Sequence, residues 1–148
     1  MCIRDSYKIT GYTTFFPPQV FRYPSEVETE ETEDGLKLHL PSGGERGDQP
    51  TLALYGPYLA LYTGRYRATF HISPPAGGVA RIRVAVVADG GRKLLQELDM
   101  GLASGGTLPV EFWTDGDPDI EFRVYAYQSD LVFEGVELYQ LERGTYGG

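Results

Sequence analysis

Short runs of alternating apolar and polar residues repeat along the chain from residue 35 onward, and each run ends at Gly, Pro or Asp. Neighbouring side chains on a β-strand point to opposite faces, so this alternation predicts strands, whereas no segment shows a sustained helical period. The pattern predicts about eight strands, in residues 36–40, 52–62, 65–73, 80–88, 93–100, 107–114, 119–128 and 131–141.

The parity of the apolar residues indicates how these strands pack. In four of them every apolar core candidate falls at alternate positions, as in the run Tyr66, Ala68, Phe70 and Ile72. Asp89-Gly90 is a hairpin signal, and Gly135 is expected to mark a β-bulge. We therefore predict an all-β domain, an antiparallel β-sandwich of the jelly-roll type.

The length of 148 residues fits one domain. We assign residues 35–143 to the sandwich, 7–34 to an irregular lead-in whose acidic run is a solvated strand or a linker, and 144–148 to a flexible tail. Residues 1–6 resemble translated adapter sequence found at the starts of unrelated metagenomic reading frames. We exclude them as an artefact and expect the natural chain to begin upstream, in a longer protein.

Charge and composition remove several classes of function. A net charge of −8 argues against non-specific binding to nucleic acid, which needs a basic face. No stretch has the roughly 20 apolar residues of a membrane span. Cys2 is the only cysteine, which excludes an intramolecular disulfide and a cysteine-based metal site.

The strand positions of outward parity mix charged and aromatic side chains. Aromatic rings stack on the apolar faces of sugar rings, and Arg and Glu hydrogen-bond the hydroxyl groups around them. An ordinary solvent-facing sheet, stabilised by cross-strand pairs, is the alternative explanation, and for Glu121 and Arg123 so is a buried ion pair. The candidate ligand-binding residues are Arg65, Arg67, Trp113, Glu121, Arg123, Tyr125 and Tyr127.

Four segments carry a family resemblance: residues 55–58 (YGPY), 64–70 (GRYRATF), 121–125 (EFRVY) and 133–138 (FEGVEL). They resemble the β-sandwich accessory domains attached to bacterial glycosyltransferases and methyltransferases of surface-polysaccharide loci. The resemblance spans roughly residues 35–143. It implies a carbohydrate-binding-like jelly roll, one module of a larger chain, and a cytoplasmic location, and it supplies no catalytic residues.

Few residues offer catalytic or metal chemistry. His39 and His71 lie on predicted strands without a nucleophile motif, which argues against a catalytic triad. Glycoside hydrolysis needs two carboxylates across a cleft, and the possible residues are Glu97, Asp99, Glu111 and Glu121. A loop with carboxylates at alternate positions is also a possible structural Ca²⁺ site, formed by Asp115, Asp117 and Asp119.

Three hypotheses follow, in order of preference. The first is a non-catalytic carbohydrate-binding accessory module of a larger glycan-processing protein, with a glycan and an attached or neighbouring enzyme domain as its partners and no required cofactor. The second is a structural or interaction module that packs on a partner domain or on another copy of itself. The third is an enzyme acting on glycosides.

Overall fold

A computed structural model describes residues 13–41, 50–74, 79–103, 107–127 and 130–143 of the chain. These residues form ten β-strands: β1 (Thr14–Phe16), β2 (Glu28–Thr32), β3 (Gly35–Leu40), β4 (Thr51–Leu59), β5 (Gly64–Ser73), β6 (Val79–Ala88), β7 (Lys93–Ala103), β8 (Thr107–Thr114), β9 (Ile120–Ala126) and β10 (Leu131–Arg143). Two short 3-10 turns, Pro18–Val20 and Asp89–Gly91, are the helical elements of the described residues.

The strands form two sheets, and every pairing between the described strands is antiparallel. Sheet A has the order β2-β3-β10-β5-β8, with β1 also paired to β10, and sheet B has the order β4-β9-β6-β7. The two sheets face each other across the hydrophobic core. The predicted antiparallel β-sandwich of the jelly-roll type is therefore confirmed.

The core lies between the sheets and consists of the side chains that parity placed inward. Tyr66, Phe70 and Ile72 of β5 are 0–1% exposed, and Ile82 and Val84 of β6 are fully buried. Aromatic rings connect the two layers, since Phe122 of sheet B packs against three rings of the opposite layer: Phe16, Phe70 and Phe112. Strand alternation was thus sufficient to identify most of the core.

The lead-in differs from the prediction, because residues 14–16 and 28–32 are strands of sheet A and raise the number of strands from eight to ten. Phe16, Phe21 and Val27 insert into the core and hold this segment on the sandwich. The acidic run is mostly the solvated strand β2, which pairs with β3. An edge strand forms backbone hydrogen bonds with a neighbouring strand on one side only. Charged side chains on such a strand discourage pairing with other chains.

Gly135 interrupts the register between β10 and β5, as expected for a bulge, and has a φ of +124°. A Cβ atom there would lie 2.5 Å from Cζ of Phe15 and 2.7 Å from the backbone oxygen of Phe16. Glycine is required both for its backbone angle and for its lack of a side chain. The Phe15 ring consequently rests directly on the backbone of β10, on the outer side of sheet A.

Candidate functional site

The seven residues predicted to bind a ligand do not form one site. Arg65, Arg67 and Trp113 lie on β5 and β8, on the outer face of sheet A. The other four lie on or directly after β9, on the outer face of sheet B: Glu121, Arg123, Tyr125 and Tyr127. Because the outer faces lie on opposite sides of the sandwich, the structure contains two candidate surfaces.

The outer face of sheet B is built from rows of residues that stand opposite one another on neighbouring strands. Tyr125 of β9 stands between Leu52 of β4 and Arg83 of β6, and Arg83 stands opposite Asp99 of β7. The adjacent row runs Tyr55, Arg123, Ala85 and Glu97. Each row thus has an apolar or aromatic side chain on β4 at one end and a carboxylate on β7 at the other end.

Asp99 is the centre of the first charged cluster on this face. Its carboxylate accepts hydrogen bonds from Arg81 (Nε to Oδ1, 2.9 Å), from Arg83 (Nη2 to Oδ2, 3.1 Å) and from the Tyr127 hydroxyl. The Arg81 guanidinium also lies over the Tyr127 ring, 4.1 Å from its centroid. Two cations and a buried phenol are therefore held in one arrangement by a single carboxylate.

Protonation of this cluster follows from the same contacts. Burial opposes ionisation of Asp99, but hydrogen bonds from Arg81, Tyr127 and Arg83 outweigh it and lower the pKa of the carboxyl group. Burial, followed by the Asp99 hydrogen bond, raises the pKa of Tyr127. Asp99 is accordingly an anion and Tyr127 a neutral donor over the whole physiological pH range.

Replacement of Asp99 by Asn should produce a pH-dependent loss of stability. The ionised carboxylate stabilises the fold above the unfolded-state pKa, which is about 3.9, and that stabilisation disappears as the pH falls through the lower pKa of the folded state. Urea unfolding should show the variant less stable by about 1–2 kcal/mol at pH 7, with the gap closing below about pH 4. A gap that is constant from pH 3 to pH 7 would contradict this electrostatic account.

Glu121 and Arg123 form the second charged cluster. Glu121 is 1% exposed and accepts a hydrogen bond of 2.5 Å from Nε of Arg123. Burial, followed by the negative charge of Glu121, raises the pKa of Tyr58. The Arg123 guanidinium also lies 3.5 Å from the Tyr125 hydroxyl. This face consequently has a fixed guanidinium beside Tyr125, with Tyr55 as the cross-strand neighbour of Arg123.

Gly91 explains how Arg123 is kept in place. The β6–β7 hairpin turn passes over the guanidinium so closely that a side chain at Gly91 would collide with it. Gly91 also has a φ of +89°, which favours glycine. Asp89-Gly90 was predicted as a hairpin signal, and the structure adds that the turn forms one wall of this surface.

The outer face of sheet B is partly buried. Four side chains of outward parity are 1–5% exposed, namely Ala85, Val87, Glu121 and Tyr127. Tyr58 and Leu52 are the more exposed, at 39% and 36%. Partly buried aromatic side chains with a few fixed polar groups are the usual lining of a small-ligand site.

Sequence reasoning missed several residues of this face. Strand β4 contributes Leu52, Tyr55 and Tyr58, but its register shifts at two places, so simple alternation does not assign them to a face. Arg81, Arg83 and Asp99 had outward parity, yet only the pairing of β6 with β7 shows that they meet. The YGPY segment was the one available signal for the tyrosines.

The outer face of sheet A holds the remaining three predicted residues in exposed pairs. Arg65 lies 3.8 Å from a Glu111 oxygen and 3.5 Å from a Glu142 oxygen. The Arg67 guanidinium lies 5.6 Å from the centre of the Tyr139 ring. Trp113 is 44% exposed, and its indole N–H donates a 2.7 Å hydrogen bond to Asp115.

The carboxylates of the predicted calcium loop accept hydrogen bonds from protein groups. Lys93 and the Thr114 hydroxyl donate hydrogen bonds to Asp117, and these outweigh the effect of burial and lower its pKa, while Asp115 accepts from Trp113. Within the described part of the chain, no group of three or more His, Cys, Asp or Glu residues is arranged to hold a metal ion. The structure therefore does not bring Asp115, Asp117 and Asp119 together as ligands, because protein donors occupy two of the carboxylates.

The four carboxylates considered for glycoside hydrolysis are also separated or engaged. Glu111 lies on sheet A, whereas Glu97, Asp99 and Glu121 lie on sheet B. Asp99 has a lowered pKa, and a general acid requires a raised one. Glu121 is bound by Arg123. The arrangement suits the positioning of a ligand better than proton transfer to it.

Comparison with known proteins finds solved carbohydrate-binding modules of similar fold. No protein-family model matches the sequence, and no curated protein matches it. The solved structure of the C-terminal CBM6 of LamC, a marine laminarinase from Zobellia galactanivorans, is similar with a TM-score of 0.62 and 14% identity, covering 87% of this chain and 100% of that one.

Two further solved structures agree with that placement. The CBM6cm-2 module of Cellvibrio mixtus lichenase 5A, in complex with cellotriose, has a TM-score of 0.56 and 14% identity, covering 86% of this chain and 96% of that one. The CBM22-1 xylan-binding domain of Paenibacillus barcinonensis Xyn10C has a TM-score of 0.55 and 8% identity, covering 86% and 89%. At these identities the likeness concerns the fold.

Among the described residues, no helix is sufficiently long and apolar to cross a bilayer.

Proposed function

We propose that this chain is a non-catalytic carbohydrate-binding module, an accessory part of a larger glycan-processing protein, and that it binds a glycan on the outer face of sheet B. The observation that carries the proposal is the partly buried surface of that face, where Glu121 fixes the Arg123 guanidinium beside the Tyr125 hydroxyl and Tyr55 is the cross-strand neighbour of Arg123. The resemblance to accessory domains of bacterial glycosyltransferases and methyltransferases supplies the larger context.

The chemistry of this face suits a chain of sugars. Tyrosine rings offer flat apolar surface for the faces of sugar rings, and their hydroxyls add hydrogen bonds at the edges. Arg81, Arg83 and Arg123 present guanidinium N–H groups whose positions are fixed by Asp99 and Glu121. Because each of these arginines is already paired with a carboxylate, the face favours hydroxyl groups over a strongly anionic ligand.

The similar solved structures support the same class of ligand. One is described in complex with cellotriose and another as a xylan-binding domain. A shared fold does not by itself transfer a function. The proposal therefore rests on the side chains of the sheet B face, and the neighbours indicate which glycans to test first.

The direct test is to remove the ring at the centre of the face. Tyr125→Ala should weaken binding of cellohexaose, xylohexaose or laminarihexaose by about tenfold or more, or about 1.4 kcal/mol, in isothermal titration calorimetry. Met100→Ala is the control, since Met100 is 42% exposed on the same sheet but stands opposite the inward-facing Ile82.

The possible results of this calorimetry lead to different conclusions. Unchanged affinity for Met100→Ala with a large loss for Tyr125→Ala supports the sheet B face. Equal affinities for the two variants would exclude that face, and no saturable heat from the wild-type chain with any of the three oligosaccharides or with intact bacterial surface polysaccharide would overturn the proposed function.

A second role is favoured by one observation, the exposure of β7. This strand has β6 as its partner within sheet B and carries Leu94, which is 56% exposed. Such an edge can pair with a strand of another chain. Association through β7 would leave the sheet B face open, so an interaction role is compatible with glycan binding.

A further inference from the structure

We infer that the outer face of sheet A is a second glycan-binding surface, formed by Phe15, Tyr139 and Trp113. This inference rests on the proposed function, because it assigns the same class of ligand to the opposite side of the sandwich. We call these three residues the sheet A strip. They are exposed by 49%, 39% and 44% respectively, which makes them the three large apolar side chains most open to solvent among the described residues of sheet A.

The strip runs diagonally across the sheet. Phe15 of β1 stands opposite Glu137, two residues before Tyr139 on β10. Tyr139 stands opposite Arg67, and Trp113 stands opposite Arg65, two residues before Arg67 on β5. With ordinary strand spacing and rise, the Cα atoms are about 8 Å and then about 12 Å apart, and both steps run in the same diagonal sense.

Each ring is held in its position by a contact of its own. Phe15 rests on the bare backbone of Gly135 and meets His71 edge to face, with the ring centroids 6.1 Å apart. The guanidinium of Arg67 lies over the Tyr139 ring. Trp113 is fixed through its indole N–H by Asp115. Rings that are ordered before binding lose little conformational entropy when a ligand stacks on them.

Polar groups lie between and beside the rings. Arg65 is bridged to Glu142 near Trp113, and His71 is bonded to Glu137 at 3.1 Å near Phe15. A concavity of about 220 Å³ adjoins Phe15, and its wall includes Gln19 and the Lys37–Glu134 ion pair. Donors and acceptors are thus available between and beside the rings for the hydroxyl groups of a stacked sugar chain.

The spacing favours a glycan over a protein partner. The core of a protein interface is a contiguous apolar patch from which charged residues are depleted. Here the rings are separated by polar and charged pairs, including the ion pair of Arg65 with Glu111 and the hydrogen-bonded pair of His71 with Glu137. A polysaccharide repeats apolar ring faces with hydroxyl edges between them, so it matches separated rings on a polar surface.

Two surfaces on opposite sides would make one chain bivalent. The sheet B face and the sheet A strip cannot contact the same short oligosaccharide, because the core lies between them. A monomer with both sites would link two polysaccharide chains, and a variant with either site alone would bind without linking.

The test compares the wild-type chain with the triple variant Phe15→Ala, Tyr139→Ala, Trp113→Ala and with Tyr125→Ala. Calorimetry with cellohexaose, xylohexaose and laminarihexaose should give about two oligosaccharides per wild-type chain and about one for the triple variant, whereas Tyr125→Ala should keep one site unchanged and weaken the other about tenfold or more. Turbidity with the corresponding high-mass polysaccharides should rise for the wild-type monomer alone. Circular dichroism and urea unfolding establish that each variant is folded.

Several results would overturn the inference. About one oligosaccharide per chain for the wild type, with affinity unchanged in the triple variant, would remove the strip and leave the proposed function intact. A wild-type dimer in light scattering that the triple variant converts to a monomer, with no change in glycan binding, would assign the strip to a second copy of the chain. No binding to any of the three oligosaccharides would contradict both proposals.

Discussion

Replacing Arg123 by Met lowers the free energy of unfolding by about 3 kcal/mol or more at pH 7, because the substitution leaves the Glu121 carboxylate buried without its cation. Glu121 is 1% exposed, and its short hydrogen bond to Arg123 is the main compensation for the loss of water. Methionine retains most of the length of the side chain, so the loss reports charge pairing more than packing. Urea or guanidinium unfolding at pH 7 measures it.

Two further variants isolate the cause. Adding Glu121→Gln to Arg123→Met should restore a large part of the lost stability, since the buried charge is then gone. Arg65→Met is the matched control on the opposite sheet, where the arginine side chain is 50% exposed and its pairs contribute at most about 1 kcal/mol. A double variant as unstable as Arg123→Met alone would show that packing, and not the ion pair, sets the cost.

The second large effect is expected in the core beneath the same face. Phe122 is fully buried on β9 between Glu121 and Arg123, and its ring lies 5.9 Å from that of Phe70, 6.2 Å from Phe16 and 6.5 Å from Phe112. Phe122→Ala should lower the free energy of unfolding by about 3–5 kcal/mol, through lost burial and the cavity that remains.

Leu94→Ala supplies the comparison for that substitution, because Leu94 is 56% exposed on β7 and its truncation should cost less than about 0.5 kcal/mol. Phe122→Leu should fall between the two, since it keeps part of the buried volume. A loss below about 1 kcal/mol for Phe122→Ala would mean that these rings do not connect the two layers as the structure indicates.

The fold was largely predictable because alternation is strongly specified wherever one face of a strand is buried. Tyr66, Ile82 and Phe122 all have the parity that the core requires, and a shift of one residue would have exposed every one of them. The strands of the lead-in were not predicted, for a physical reason. Strand β2 is held by main-chain pairing with β3 and by anchors such as Val27, so its acidic side chains carry no alternating apolar signal.

The candidate site was less predictable, because parity distinguishes inward from outward but does not say which sheet a strand joins. Arg65 and Arg123 have the same parity class, yet they lie on opposite sides of the sandwich. Asp99 meets Arg81 and Arg83 through the register of β6 with β7, and Phe15 reaches sheet A through the pairing of β1 with β10. Such contacts depend on pairing between strands far apart in the sequence.

The outer faces of the two sheets differ in how deeply their charged side chains are buried. On sheet B, β4 and the β6–β7 turn flank the central strand β9, so Glu121 and Arg123 are recessed and fixed. On sheet A, the pairs around Arg65 and Arg67 are open to solvent and the rings stand apart. The outer face of sheet B thus presents fixed, partly buried polar groups, and the outer face of sheet A presents separated, exposed rings.

The most direct measurement is an NMR titration of the ¹⁵N-labelled chain with the oligosaccharide that gives the largest heat in calorimetry. The account predicts saturable shifts in the backbone amides of β4, β6 and β9 around Tyr55, Arg83 and Tyr125, and their loss in Tyr125→Ala. Saturable shifts that avoid all three strands, or that persist unchanged in Tyr125→Ala, would contradict it.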